Sequence, residues 1–512
     1  MKRDFRSSVL SGNYDAVLAA IAGFLIIQAL CAYGGIGVSP DSVVYISTAQ
    51  NIHDHGKIND FTNMPVMDFP AFYPIFLCGL IFLTGAKILA FGPFLNGLLF
   101  ATLIWLCGWI MNRFTGVTRG YKLLLLIFIL LSPCLLEVYS MIWSETIFLL
   151  LSVLFFIVAY GYFQTHSIRW LLIMAFVAAL SCVTRYAGIS LAGLGGLLML
   201  CDGRLRWGAR KLGHIALYSL LSLSLLILNL YRNLQLTQTL TGYREKGLTP
   251  FSVNLHDMGS VFCDWLPFLN LGYRVATVVG VLFILLITGI FLYRLVRRNN
   301  FFSYETIALS YFVVYTAFIL FSATVSRFQP LDSRLLSPLF LPWLWGSTQW
   351  IPAGLKRCPP RWKSVAVAAS LAAAVCFIFR EVQIFRENWN GIHYAGIPGY
   401  TEDDWRKNET MTFVRTHKDS LEKAGHIYSD AFEGLWFLAD VRSDLIPHKD
   451  NAADIKWMMH EEHFTVVWFD DAVNDDLINI DYIRSQKQLV NELRFRDGAV
   501  YFFHTSPPAP PN

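Results

Sequence analysis

The feature that most constrains this chain is a succession of apolar runs long enough to cross a bilayer: Ala16 to Tyr33, Ile88 to Met111, Leu123 to Leu136, Ile142 to Phe163, and onward to Phe379. A hydrocarbon core offers no water to backbone amides, so such runs are helical and spanning or packed among spans. The composition agrees, with 55% of the 512 residues hydrophobic and 15% charged, where a soluble domain carries roughly a quarter charged residues. The expected fold class is a polytopic α-helical membrane protein. Its solvent is the lipid bilayer, and nothing in the charge pattern suggests a nucleic-acid partner.

Lys and Arg divide the loops into two sets. One holds Lys2, Arg3 and Arg6, then Arg113, Arg119 and Lys122, Arg169, the cluster Arg204 to Lys211, Arg294 to Arg298, and Lys356 to Lys363. The other holds Lys57, Arg185, Arg232, Arg244, Lys246, Arg274, Arg327 and Arg334. The richer set is cytoplasmic by the positive-inside rule, which places the N-terminus inside. Alternation requires that Pro70 to Leu83 not cross fully, so it reads as a partial or re-entrant helix, leaving roughly eleven crossings. The expected location is the cell inner membrane, multi-pass, with the tail extracytoplasmic. Ala16 to Tyr33 lacks a small-x-small cleavage site and reads as a retained helix.

Composition changes near Arg380. From Glu381 onward there are 23 Asp plus Glu against 13 Lys plus Arg, which argues for a separate acidic soluble domain. The expected organisation is a membrane domain over 1–380 with a first external loop over 37–69, a small extracytoplasmic α/β domain over 381–505, and a disordered Pro-rich tail over 506–512. Within the α/β domain Thr401 opens a helix towards His417 with a capping-box-like acid. His426 to Ser429, Phe464 to Phe469 and Ala499 to Phe503 read as strands, and Leu477 to Leu493 as a further helix. The nine cysteines lie mostly in apolar runs, and none is in the acidic domain. Neither a disulfide framework nor a Cys-based metal site is expected.

The chemistry gathers at the ends of the apolar runs. In Ser39-Pro40-Asp41-Ser42-Val43-Val44-Tyr45-Ile46, Asp41 is followed by Tyr45, Ala49 and Ile52 at helical spacing. It reads either as a helix N-cap or as a catalytic carboxylate. Asp54, Asp60 and Asp68 read as solvated loop acids, and His53 with His55 is too little for a metal site. Glu145, at the start of the Ile142 to Phe163 run, is either an interfacial cap or a functional intramembrane acid. Arg185, Arg232, Arg327 and Arg334 are cations on the cation-poor side. Guanidinium groups bind phosphate through two parallel hydrogen bonds, which suits a lipid phosphate. The plainer reading is headgroup anchoring or an ordinary pair such as Arg334 with Asp332.

The order of Pro40-Asp41-Ser42-Val43-Val44-Tyr45, Phe69-Pro70-Ala71-Phe72-Tyr73-Pro74, Trp143-Ser144-Glu145, Thr184-Arg185-Tyr186-Ala187-Gly188, Tyr231-Arg232-Asn233 and Asp332-Ser333-Arg334-Leu335-Leu336-Ser337-Pro338 resembles bacterial membrane glycosyltransferases of the GT-C fold. Within them it is similar to the protein mannosyltransferase and aminoarabinose transferase relatives, which take sugar from a polyprenyl-phosphate donor. The resemblance continues to Ile427-Tyr428-Ser429-Asp430 and Leu435-Trp436-Phe437-Leu438. It implies transfer to a hydroxyl of a glycan, lipid or protein acceptor, with Asp41 as base, Arg185 and Arg334 as a phosphate clamp, and Glu145 as a cavity acid. Tyr45, Arg232 and Arg327 join the expected substrate-binding residues. No cofactor or metal is required, although a divalent cation is compatible. Ser42 stands where protein mannosyltransferases carry the acidic partner of an Asp-Glu pair, which weakens protein O-mannosylation. A transporter or flippase of lipid-linked saccharides, or a non-catalytic scaffold, would also account for the spans; the absence of repeat-like halves and of mid-span charges weighs against transport.

Overall fold

The computed structural model describes residues 13–114, 117–242, 246–266, 273–297, 302–327, 329–470, 472 and 474–504. The N-terminal Lys2, Arg3 and Arg6, together with Arg244, Arg298 and the tail 506–512, lie outside the described residues. The chain forms two compact units, one from Met1–Ala32 and Pro65–Gly391, the other from Tyr33–Met64 and Ile392–Asn512. The first external loop thus contributes to both, and the compositional change at Arg380 falls inside one continuous helix, Pro360–Ala395.

The first unit is helical. Among its described residues six helices are long and apolar enough to cross a membrane: Ile88–Met111, Glu145–Thr165, Ala209–Thr237, Arg274–Arg297, Tyr304–Val325 and Pro360–Ala395. Four shorter apolar helices, Tyr14–Leu30, Phe72–Thr84, Ile168–Thr184 and Tyr186–Cys201, accompany them. The run expected as one segment from Leu123 to Leu136 is broken into Arg119–Leu131 and Pro133–Ser140, bent by 46°. The cause is local: Pro133 disfavours a helical Ser132, which adopts ψ 116° and accepts the Leu135 amide at 3.4 Å.

Close helix contacts rest on small residues. A Cβ on Gly280 would stand 2.7 Å from the Gly259 Cα, and one on Gly259 would stand 2.1 Å from the Ala276 carbonyl oxygen. Helices Phe251–Asp264 and Arg274–Arg297 therefore meet backbone to backbone, as small-residue stripes allow between apolar helices. Lys122, 2% exposed, places its Nζ 2.7 Å from Asp15 Oδ1 and ties the first helix to Arg119–Leu131. Gly280→Leu is expected to separate the Phe251–Asp264 and Arg274–Arg297 pair and to lower the thermal midpoint of detergent-solubilised protein by several degrees. Gly289→Leu, where nothing lies within 4 Å of the added Cβ, should leave it unchanged.

The second unit is a five-stranded sheet, β1 His426–Ser429, β2 Asp444–Leu445, β3 His463–Phe469, β4 Gln488–Phe495 and β5 Gly498–His504, in the order β2-β1-β3-β5-β4. β1 runs parallel to β2 and β3, while β5 is antiparallel to β3 and β4. The three expected strands are present. The helix expected over Leu477 to Leu493 is corrected: only Ile480–Gln486 is helical, and β4 follows. Its residues pair with β5 across the two-residue connection Arg496-Asp497, with Phe495 opposite Gly498, and this pairing outweighs the helical pattern. The Thr401 helix is also corrected, into Asp403–Arg406 and Glu409–Thr416. Asn408 caps the second piece through the Met411 amide, and the Thr401 hydroxyl donates instead to the Ile36 carbonyl at 3.2 Å.

The segment from Tyr33 is built into this unit by main-chain and side-chain bonds. The Tyr400 amide donates to the Val38 carbonyl at 2.8 Å, Arg406 donates to the Gly34 carbonyl at 2.7 Å, and the Tyr33 hydroxyl donates to Asp403 at 3.0 Å. Helix Pro40–His55 buries Val43, Tyr45, Ile46 and Ala49, and it packs on helix Phe432–Ala439. Phe61 stacks at 5.6 Å on Phe432 and 5.4 Å on Trp436.

Candidate functional site

In the first unit the structure brings Glu145, Arg185 and Arg334 together. Helix Glu145–Thr165 begins at Glu145 itself, so its carboxylate sits at the positive end of the helix dipole. The turn before it is fixed by Asn96, whose amide donates to the carbonyls of Tyr139 and Met141 at 3.0 and 2.7 Å, and by the Tyr139 hydroxyl, which donates to the Thr146 carbonyl at 3.0 Å. Arg185 follows helix Ile168–Thr184 in an extended conformation. The tight turn behind it needs Gly188, where a Cβ would stand 2.3 Å from the Ser181 carbonyl. Arg334 lies in the first turn of helix Ser333–Thr348, capped by Asp332 through the Leu335 amide at 2.8 Å.

Glu145 Oε1 accepts from Arg334 Nε at 2.6 Å, and its Oε2 lies 2.7 Å from Arg185 Nη1. Arg185 Nη1 also donates to the Ser144 hydroxyl at 3.0 Å. The Arg334 guanidinium stands 4.1 Å over the Trp143 ring, a cation–π contact. The Glu145 side chain is 2% exposed, Arg334 9% and Arg185 19%. A carboxylate desolvated to this extent is tolerated only with charged partners, and here it stands between two guanidiniums. The Asp332 and Glu137 carboxyls lie within electrostatic reach of Arg334, and Arg185 is the member of the trio most open to solvent. Arg334 pairs with Glu145 rather than with Asp332.

Arg232 serves elsewhere in this unit. Its Nη1 donates to the Val66 carbonyl at 3.0 Å and to Asn233 Oδ1 at 3.0 Å. The Tyr186 hydroxyl, next in sequence to Arg185, donates to the Met67 carbonyl at 2.7 Å and accepts from Asn233 at 3.3 Å. These bonds fix the stretch that leads to helix Phe72–Thr84. Arg327 lies in the connection between helices Tyr304–Val325 and Ser333–Thr348.

Asp41 belongs to the second unit and is not the helix cap. Ser39 caps helix Pro40–His55: its hydroxyl accepts the Ser42 amide at 3.4 Å, and the Ser42 hydroxyl accepts the Ser39 amide at 3.1 Å. Asp41 is left half-buried in the first turn. A residue not singled out in the sequence stands near it. Burial pushes the Glu433 carboxyl up to about 7, and the charge of Asp41 adds to the rise against hydrogen bonds from the backbone and from Tyr400. Burial likewise raises Asp430 to about 7, although its carboxylate accepts the Phe469 amide at 3.1 and 3.2 Å and so bridges the carboxyl ends of β1 and β3. That is the topological switch point of the sheet, where α/β units place ligands. The available signal was two acids, Asp430 and Glu433, inside the otherwise apolar run to Leu438. Among the described residues no group of three or more His, Cys, Asp or Glu is placed to hold a metal ion.

No protein-family model matches the chain, and no curated protein matches it significantly. Solved structures do. ArnT from Cupriavidus metallidurans in the apo state is similar over 95% of this chain and 97% of its own, with a TM-score of 0.54 at 12% identity. The same protein bound to undecaprenyl phosphate gives a TM-score of 0.50 at 11% identity over the same shares. The archaeal oligosaccharyltransferase AglB from Archaeoglobus fulgidus, in complex with an inhibitory peptide and a dolichol-phosphate, gives 0.51 at 11% identity, over 89% of this chain and 69% of its own. The chain is a polytopic helical membrane protein with the GT-C fold, as the sequence resemblance implied.

Glu145→Gln, which keeps the shape and removes the charge, should destabilise the protein by about 3 kcal/mol or more, the cost of leaving buried cations uncompensated. Thermal unfolding in detergent measures it, and adding Arg334→Met should recover part of the loss. A double variant no better than the sum of the singles would show that the three groups do not act as a unit. A second outcome follows from Glu433. Its folded-state affinity for protons exceeds the unfolded one, so the folded state binds more protons between about pH 4.5 and 7 and stability falls as pH rises through that window. Glu433→Gln should therefore match the wild-type thermal midpoint at pH 5 and exceed it at pH 8.5.

Proposed function

We propose that the protein is a membrane glycosyltransferase that moves a sugar from a polyprenyl-phosphate-linked donor to a hydroxyl of a glycan, lipid or protein acceptor on the extracytoplasmic face of the inner membrane. The observation that carries this reading is the arginine pair seated on Glu145, two guanidiniums held at one buried carboxylate. The fold shared with proteins solved in complex with undecaprenyl phosphate and with a dolichol-phosphate supports a lipid phosphate as the ligand of this pair. The distribution of Lys and Arg supports a cytoplasmic N-terminus, about eleven crossings and an extracytoplasmic second unit.

In the reaction the acceptor O–H bond breaks, its oxygen bonds the anomeric carbon, and the bond from that carbon to the phosphate oxygen breaks. The departing lipid phosphate carries the negative charge, which Arg185 and Arg334 stabilise. Glu145, with both oxygens engaged, acts as a positioning residue for these two guanidiniums. On the sequence resemblance, Asp41 takes the acceptor proton.

Protein reconstituted in lipid and offered radiolabelled polyprenyl-phosphate sugars should transfer or hydrolyse at least one of them. Asp41→Asn should lose on the order of a hundredfold or more of that rate while retaining binding of undecaprenyl phosphate. Arg334→Ala should weaken that binding. Wild-type turnover persisting in Asp41→Asn would remove the base assignment, and unaltered lipid-phosphate binding in Arg334→Ala would remove the clamp.

A further inference from the structure

The second unit carries a cleft of about 540 Å³ away from Asp41, at the amino end of the parallel strands β1 and β2. Glu422, His426, Arg442, Ser443 and Asp444 line it, with Thr62 from the first external loop. Ser443 is 5% exposed, and its hydroxyl has no hydrogen-bond partner among the described residues. A buried hydroxyl in that state is incomplete, and it stands in the wall of a cleft wide enough for a ligand to complete it. Arg442 is exposed and forms no ion pair among the described residues. His426 Nε2 lies 2.8 Å from Asp444 Oδ2. The His426 ring stacks on Tyr428 at 4.7 Å and meets the edge of Trp457, itself 54% exposed, at 5.4 Å.

The chemistry of the lining selects the ligand. Two carboxylates, Glu422 and Asp444, offset the Arg442 guanidinium and His426, so the cleft has no excess of positive charge for a phosphate. It offers instead planar charged groups that bind adjacent hydroxyls two at a time and a lone hydroxyl, and beside its lining residue His426 stands the exposed Trp457 indole, on which an apolar sugar face can stack. β2 is only two residues long, too short for an extended peptide to add as a further strand. We propose that this cleft binds a saccharide, and that on the transferase reading the saccharide is a segment of a glycan acceptor.

The test uses the full chain in lipid nanodiscs and saturation-transfer NMR with maltotetraose, cellotetraose and mannotetraose as probes. At least one should show a saturable signal. Arg442→Ala, at an exposed position, should weaken its apparent Kd about tenfold, in line with loss of a hydrogen bond from a charged group, and Ser443→Ala should weaken it less. Arg484→Ala, whose partner Glu492 lies on β4 at the opposite sheet edge, should leave it unchanged. No signal from any of the three probes, a signal unchanged in Arg442→Ala, or displacement by inorganic phosphate would each overturn the proposal. Failure of the transferase reading is separate: sugar binding without transfer from any donor would leave the site standing and remove its identification with an acceptor.

Discussion

A single buried carboxylate organises the membrane unit around its chemistry. Glu145, from the start of one helix, holds a guanidinium from the break after helix Ile168–Thr184 and another from the first turn of helix Ser333–Thr348. These three stretches are separated by tens to nearly two hundred residues, and each presents its charge at a helix end. Removing Glu145 leaves two desolvated cations without the counter-ion they share, so the arrangement depends on it. The supporting bonds have the same purpose. Asn96 and Tyr139 fix the turn before Glu145, and Gly188 permits the turn behind Arg185.

The second unit shows how a short insertion after the first helix can be folded into a domain that the chain completes more than three hundred residues later. Val38, Ile36 and Gly34 give their carbonyls to the Tyr400 amide, the Thr401 hydroxyl and the Arg406 guanidinium, so the segment leading into the Asp41 helix is held through its own backbone carbonyls. The helix cap is made by Ser39 and Ser42, and Asp41 lies where its charge is felt by Glu433. Two carboxyls raised by burial, Asp430 and Glu433, stand at the carboxyl end of β1. The saccharide cleft stands at the opposite end of the same strand.

What the sequence determined by itself is the part governed by period and composition. Apolar runs set the helices of the membrane unit because a backbone in lipid has no alternative to internal hydrogen bonds. Short runs rich in β-branched and aromatic residues set β1, β3 and β5, and the acids and arginines at the run ends singled out Asp41, Glu145, Arg185 and Arg334 as candidates, of which the fold brings Glu145, Arg185 and Arg334 together. Local competition hid other features. Pro133 split an apolar run that hydropathy joins, a tight connection at Arg496-Asp497 converted half of an expected helix into β4, and a serine two residues upstream took the cap that Asp41 could have filled. Tertiary structure alone decided which charges meet. Glu145 could have capped its helix, Arg334 could have paired with Asp332, and Arg232 could have reached for ligand rather than the Val66 carbonyl. Those outcomes depend on which helix ends converge and on how much water is excluded there, and neither quantity is written in the spacing of residues along the chain.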